Sequence, residues 1–177
     1  MNSGQGETPG GEPATVSASP PRIELKKILV PLDFSSCSNK ALDYAVAFAR
    51  QFRASVALIH VLELNYVGSS LGEIDVPLLE GELRQNAAEQ LELAAERCRA
   101  FDVACEATIR SGRPWNEIVE AARDLDVDLV IMGTHGYTGL KHVVMGSTAE
   151  RVVRHAPCPV LIVREKEHEF IREPQKA

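Results

Sequence analysis

A doubly wound α/β domain, built on a five-stranded parallel sheet with helices on both faces in the Rossmann-like manner, is the fold class this sequence predicts. Three observations point to it. Five short runs rich in Val, Ile and Leu alternate with stretches whose apolar residues recur at helical spacing. The main runs are apolar at successive positions, as strands buried on both faces require. The fourth run stops at a loop punctuated by glycines that leads directly into another helical stretch. Right-handed crossovers between such strands place the helices on both faces.

The first run, Ile28 to Val30, is a short strand ended by Pro31. Ser35 or Ser36 is placed to cap the next helix, whose apolar stripe is Ala41, Leu42, Ala45, Val46, Ala49 and Phe52. Ser55 to Val61, reading SVALIHV, is a second buried strand. Glu63 to Val76 contains Gly68, Ser69, Ser70 and Gly72 without periodicity and reads as a loop beside a site. Pro77 suits a first helical turn. Leu79, Leu83, Ala87, Leu91, Ala94, Ala95 and Cys98 then repeat at helical spacing to about Ala100, a stripe predicted to be core.

Val103 to Ile109 alternates weakly and is a third strand, nearer an edge. Ser111-Gly112-Arg113-Pro114 turns the chain into a short helix carrying Trp115, Ile118, Val119 and Ala122. Gly112 and Arg113 follow a strand and so could approach a ligand, but they read more simply as a turn with an exposed Arg. Trp115 is expected to pack. Asp128 to Met132 is the fourth strand, and a helix from Ser147 is expected to bury Val152, Val153 and Ala156 before Pro157 stops it. Pro159 opens the fifth strand, Val160 to Val163.

The chain of 177 residues fits one domain, 23–165, with 45% hydrophobic residues to fill a core. Residues 1–22, rich in Gly, Pro, Ser, Thr and Glu, are expected to be a disordered N-terminal extension, and 166–177 a flexible C-terminal tail. A net charge of −6 and a pI near 5.4 argue against nucleic acid as a partner, because no basic stripe is present to neutralise a phosphate backbone. No apolar run approaches the ~18–20 residues of a membrane span, and the N-terminus lacks a signal-peptide pattern. A soluble, cytoplasmic protein without a membrane partner is therefore expected. Cys37, Cys98, Cys105 and Cys158 are scattered without C-x-x-C spacing and read as small buried hydrophobes rather than as a zinc site or disulfide framework.

The functional signal lies in Val130 to Glu150, VIMGTHGYTGLKHVVMGSTAE. Gly133, Gly136, Gly139 and Gly146 interrupt a polar loop, and Ser147-x-x-Glu150 has the pattern of a capping box. A strand, a glycine loop and a helix start together make an anion site: unpaired N–H groups at a helix N-terminus carry partial positive charge, and glycine lets a phosphate approach. The glycines could equally serve only to turn the chain. The spacing is neither that of a Walker loop nor that of the compact G-x-G-x-x-G fingerprint.

The full spacing Gly133-x2-Gly136-x9-Gly146-Ser147 resembles the ATP-binding branch of the universal stress protein family. The resemblance spans nearly all of Lys26 to Arg164, through KKILVPLDFS, DLVIMGTHG and APCPVLIV. It implies the adenine-nucleotide-binding variety of the fold with ATP as ligand. By that resemblance Pro31, Leu32 and Asp33 lie at the nucleotide, the main chain at Val61 meets adenine, and Met132, Gly133, His135 and Gly136 run along the ligand. Gly146, Ser147 and Thr148 are then expected to hold phosphate oxygens. Ala149 stands where some ATP-binding relatives carry another hydroxyl.

Asp33 reads from its residues alone as a turn carboxylate, and by resemblance as the group near the phosphates, where it would suit a hydrated Mg²⁺. Lys141 and Arg151 are candidate secondary phosphate partners or free surface charges, and His60 is assigned no role. The resemblance also implies a homodimer through strand 159–163, although the tail could cover that edge instead. The function expected is a nucleotide-dependent stress-response or signalling module rather than an efficient catalyst. No P-loop lysine, paired carboxylates or nucleophile–base pair has defensible spacing. The alternatives are slow ATP hydrolysis on the same scaffold and a nucleotide-independent interaction module.

Overall fold

The computed structural model describes residues 21–63, 76–134, 145–166 and 168–171. The apolar runs form β1 (Lys27–Pro31), β2 (Ser55–Leu62), β3 (Cys105–Ser111), β4 (Leu129–Gly133) and β5 (Val160–Val163). The stretches of helical period form α1 (Ser36–Phe52), α2 (Val76–Arg99), α3 (Pro114–Asp124) and α4 (Ser147–His155). The alternation expected from the sequence is therefore the alternation observed.

All five strands are parallel, in the order β3-β2-β1-β4-β5. β1 is central, and Ile28, Leu29 and Val30 have no exposed surface. Full burial of each such side chain is worth about 1.5–3 kcal/mol. Their alternation divides the core in two. Ile28 and Val30 join Leu42, Ala45, Leu58, Leu91 and Cys98 on the face covered by α1 and α2. Leu29 joins Ile59, Ile118, Val119, Val130, Met132 and Val152 on the face covered by α3 and α4.

The chain builds outward from β1 to β2 and β3, then returns to place β4 on the other side of β1. That reversal opens a crevice at the carboxyl ends of β1 and β4, where an open α/β sheet gathers its ligands.

Two apolar stripes run further than their burial. Leu83 is 39% exposed, and burial along α2 begins at Ala87. Ala87, Leu91, Ala94, Ala95 and Cys98 form the part of that stripe that meets the core. On α4 only Ala149 and Val152 are buried, while Val153 is 47% exposed, because this short helix turns a narrow strip to the sheet. All four cysteines are free; Cys37 and Cys98 are buried, Cys105 and Cys158 half-buried. Desolvation, then the charge of Asp128, pushes the Cys158 thiol pKa up.

The edges differ. β3 carries charge: Lys27 pairs with Glu106 at 3.6 Å, and Arg110 with Asp124 at 2.8 Å. β5 is apolar and half-buried up to Val163, and among the described residues it pairs only with β4. The chain beyond it turns back along α1. Ser36 Oγ donates to the Glu165 carboxylate at 3.2 Å, Lys40 Nζ lies 2.8 Å from Glu169, and the Phe170 ring meets Tyr44 edge-on at 5.1 Å.

Candidate functional site

A cleft of about 300 Å³ opens where β1 and β4 end, the small end of the range for ligand pockets. Its walls come from Pro31, Leu32 and Asp33 after β1, from the end of β2, from Met132 to Thr134 after β4, from α3, and from the first turn of α4.

The turn after β1 is shaped by Phe34, a non-glycine residue at φ +64°. That left-handed step folds Asp33 back over the helix start, where its Oδ1 accepts the Ser35 hydroxyl at 2.6 Å and the Ser35 N–H at 3.2 Å. Ser35, not Ser36, is the N-cap of α1, and its Oγ accepts the Ser38 N–H. Asp33 thus does the work of a turn carboxylate and lines the cleft as well. Leu32 donates its N–H to Ile59 at 2.8 Å, extending the β1–β2 ladder to the cleft floor.

At the end of β4, Gly133 has its own packing reason to lack a side chain. A Cβ there would lie 2.8 Å from Cys37 Sγ and 3.1 Å from the Cys37 carbonyl carbon. Thr134, buried, donates its N–H to the Val163 carbonyl at 2.9 Å, and its own carbonyl accepts the Gly146 N–H at 2.8 Å. The two ends of the glycine segment are therefore tied together at the mouth of the cleft.

The capping box expected at Ser147 and Glu150 does not form. Gly146 is the N-cap, with φ −68° and ψ 151°, and no side chain caps α4. Ser147 is already the first helical residue, one position too far along to cap, and Glu150 instead forms an ion pair with Arg154 at 2.8 Å. The N-terminus of α4 is left without a side-chain cap. Helix geometry leaves the N–H groups of Ser147, Thr148 and Ala149 without intrahelical acceptors, and no capping side chain competes with a ligand for them. The aligned dipoles favour an anion there by about 0.3–1 kcal/mol, up to about 2 in partly buried geometry.

Of the residues expected at the site, Pro31, Leu32, Asp33, Val61, Met132, Gly133, Gly146, Ser147, Thr148 and Ala149 all line this one cleft. His135, Gly136 and Lys141 lie outside the described residues. The Ala149 side chain is only 2% exposed and belongs to the core beneath α4. Arg151 holds its guanidinium over the Trp115 ring at 5.7 Å and does not line the cleft. Trp115 packs against His155 and the core, as expected, and Arg113 is the exposed N-cap of α3.

Seven lining residues carried no expectation of a site role: Ser38, Ile59, His60, Glu63, Pro114, Ile118 and Thr134. His60 stacks on Phe34 with ring centroids 4.6 Å apart, and its Nδ1 lies 2.7 Å from the Leu32 carbonyl. The signal for His60 and Glu63 was available, since both stand at the carboxyl end of a strand neighbouring β1. Pro114, Ile118 and Thr134 depended on how α3 and the β4 loop fold back.

Among the described residues no group of three or more His, Cys, Asp or Glu could hold a metal ion. One carboxylate, Asp33, with hydroxyl oxygens near it, fits a Mg²⁺ only as an ion brought in by phosphates, which supply its remaining oxygens. No described helix is long and apolar enough to cross a membrane.

Comparison with known proteins agrees with this architecture. The model of the universal stress protein family matches residues 24–164. Universal stress protein MJ0531 of Methanocaldococcus jannaschii is 35% identical over 144 residues, 81% of this chain and 85% of the relative. The solved structure of MJ0577, from the same organism, superposes with a TM-score of 0.73 at 32% identity, covering 82% of this chain and all of that one. A universal stress protein solved in complex with cAMP shares the fold at 23% identity, with a TM-score of 0.63 over 81% of this chain and all of that one.

Proposed function

The chain belongs to the universal stress protein family, and from that premise we propose that it is an ATP-binding member acting as a nucleotide-dependent stress-response or signalling module. The observation that carries this is the N-terminus of α4, with Gly146 as N-cap and no side-chain cap, opening into a cleft that is also lined by the apolar Ile59, Val61, Pro114 and Ile118. An adenine nucleotide has that division: an anionic chain at one end and a flat apolar base at the other.

In this proposal the N–H groups of Ser147, Thr148 and Ala149 and the hydroxyls of Ser147 and Thr148 hold phosphate oxygens. His135 and Gly136, which lie outside the described residues, are proposed to lie along the nucleotide because the matching family positions do. Pro31, Leu32, Met132 and Gly133 support the ribose, and the main chain at Val61 meets adenine. When bound, Mg²⁺ neutralises phosphate charge, and Asp33, held in place by Ser35, is the residue that would face it. The module is proposed to act in the cytoplasm as a homodimer joined through 159–163, a proposal supported by the apolar β5, which among the described residues pairs only with β4.

Calorimetric titration with Mg-ATP tests the assignment, with Gly146→Val as the control. The backbone at Gly146 is already in a region that valine adopts freely, so the variant should fold. Its branched side chain at the phosphate wall should lower affinity by about tenfold or more, the worth of a charge-assisted hydrogen bond. Unchanged affinity in the folded variant would remove the α4 N-terminus from the site.

A further inference from the structure

Glu63 follows β2 directly and lines the cleft beside Val61. The lining includes Thr134, Gly146, Ser147 and Thr148 from β4 and α4, and Ile59, His60, Val61, Pro114 and Ile118 from β2 and α3. β1 lies between β2 and β4, so at about 4.8 Å per strand the ends of β2 and β4 are about 10 Å apart. That separation matches the distance from phosphate to base in a nucleotide. If the phosphates sit on α4, as proposed for the function, the base lies over the end of β2.

Asp33 and Glu63 are the acidic residues among the described lining residues, and none of that lining is Lys or Arg. A carboxylate in contact with phosphate would oppose binding. About 10 Å away, near the Debye length at physiological ionic strength, its repulsion is largely screened, so Glu63 is compatible with a polyphosphate only at the base end.

The other polar side chain at that end is committed. The Leu32 carbonyl can only accept, so Nδ1 of His60 in its neutral form carries the proton and donates to it, while the ring face rests on Phe34. Glu63 has no hydrogen-bond or ion-pair partner among the described residues, and an ionised carboxylate accepts only. An acceptor at the base edge favours a base that offers an N–H there and disfavours one that offers a carbonyl oxygen.

We propose that Glu63 reads the base, its carboxylate accepting a hydrogen bond from the exocyclic amine of a 6-aminopurine and so separating ATP from its 6-keto counterpart. This rests on the nucleotide assignment and adds to it a specificity-determining side chain. ITP is the probe, because it keeps the ribose and triphosphate of ATP and replaces the 6-amino group with a keto oxygen, while its N1 becomes an N–H; an acceptor that faces position 6 itself therefore rejects it.

Affinities of Mg-ATP and Mg-ITP are measured calorimetrically for the full chain and for Glu63→Gln, with melting curves to establish that both are folded. The full chain should prefer ATP by about tenfold or more, the worth of a hydrogen bond to a charged group. The glutamine amide can turn either its oxygen or its N–H to the base, so Glu63→Gln should bring the two affinities within about threefold, chiefly by tightening ITP. A full chain that binds ATP while the variant keeps the ATP-to-ITP ratio unchanged overturns the role of Glu63 and leaves the nucleotide site standing. Failure of the full chain to bind either nucleotide overturns both.

Discussion

Substitution of Gly133 by Ala tests whether this glycine is demanded by packing at the root of the site. A Cβ on Gly133 would lie 2.8 Å from Cys37 Sγ, 3.1 Å from the Cys37 carbonyl carbon and 3.2 Å from Cys37 Cβ. The thiol could rotate, but the carbonyl carbon and Cβ belong to the first turn of α1. The added methyl must therefore push α1 away from β4. Cys37 Sγ also donates to the Val163 carbonyl at 3.3 Å, so the displacement reaches the β5 edge. Overpacking of this kind costs about 1–3 kcal/mol.

Urea unfolding of Gly133→Ala should show a lowered midpoint with an unchanged slope, and each kcal/mol should lower Tm by about 2–4 °C in a chain of this size. Cys37→Ala removes the nearest of the three atoms, so the double variant should recover about 1 kcal/mol of the combined loss in a double-mutant cycle. A Gly133→Ala protein as stable as the parent would refute the packing requirement and leave ligand approach as the reason for the glycine.

Asp33→Ala should cost about 1 kcal/mol of stability through its lost bonds to Ser35, read by thermal melting. If Asp33 faces a phosphate-bound Mg²⁺, the same variant should lose about tenfold in ATP affinity with Mg²⁺ present and little without it; identical losses with and without the metal would displace Asp33 from the ion. Deletion of residues 1–21, which are poor in groups to bury, should leave melting temperature and nucleotide affinity unchanged. A fall of several degrees on that deletion would mean that the extension packs.

Successive apolar residues in Ile28–Val30, Ala57–Ile59 and Val130–Met132 made the buried parallel sheet legible, because few other arrangements bury such runs on both sides. Asp33, Val61, Gly133 and Gly146, named through the glycine spacing and the family resemblance it carries, line one cleft, because strands of a parallel sheet end on the same side. Helix starts were less legible. Ser147 matched a capping pattern, yet the bond from Gly146 N–H to the Thr134 carbonyl fixes the chain one residue earlier, a tertiary contact that local sequence does not encode. Stripe length was not legible either, since Leu83 and Val153 keep the helical period beyond the point where the sheet can cover them. His60 was assigned no role; it stacks on Phe34, the left-handed turn residue, and lines the cleft.

The most direct test of the nucleotide site is to purify the full chain without added nucleotide, denature it, and identify what is released by chromatography and mass spectrometry. Near-stoichiometric ATP, or ADP left by slow turnover, or saturable uptake of Mg-ATP by protein that was purified empty, is the expected result. Protein that releases no nucleotide and also fails to bind added Mg-ATP would contradict it, leaving the glycine segment a turn and the domain an interaction module that works without a nucleotide.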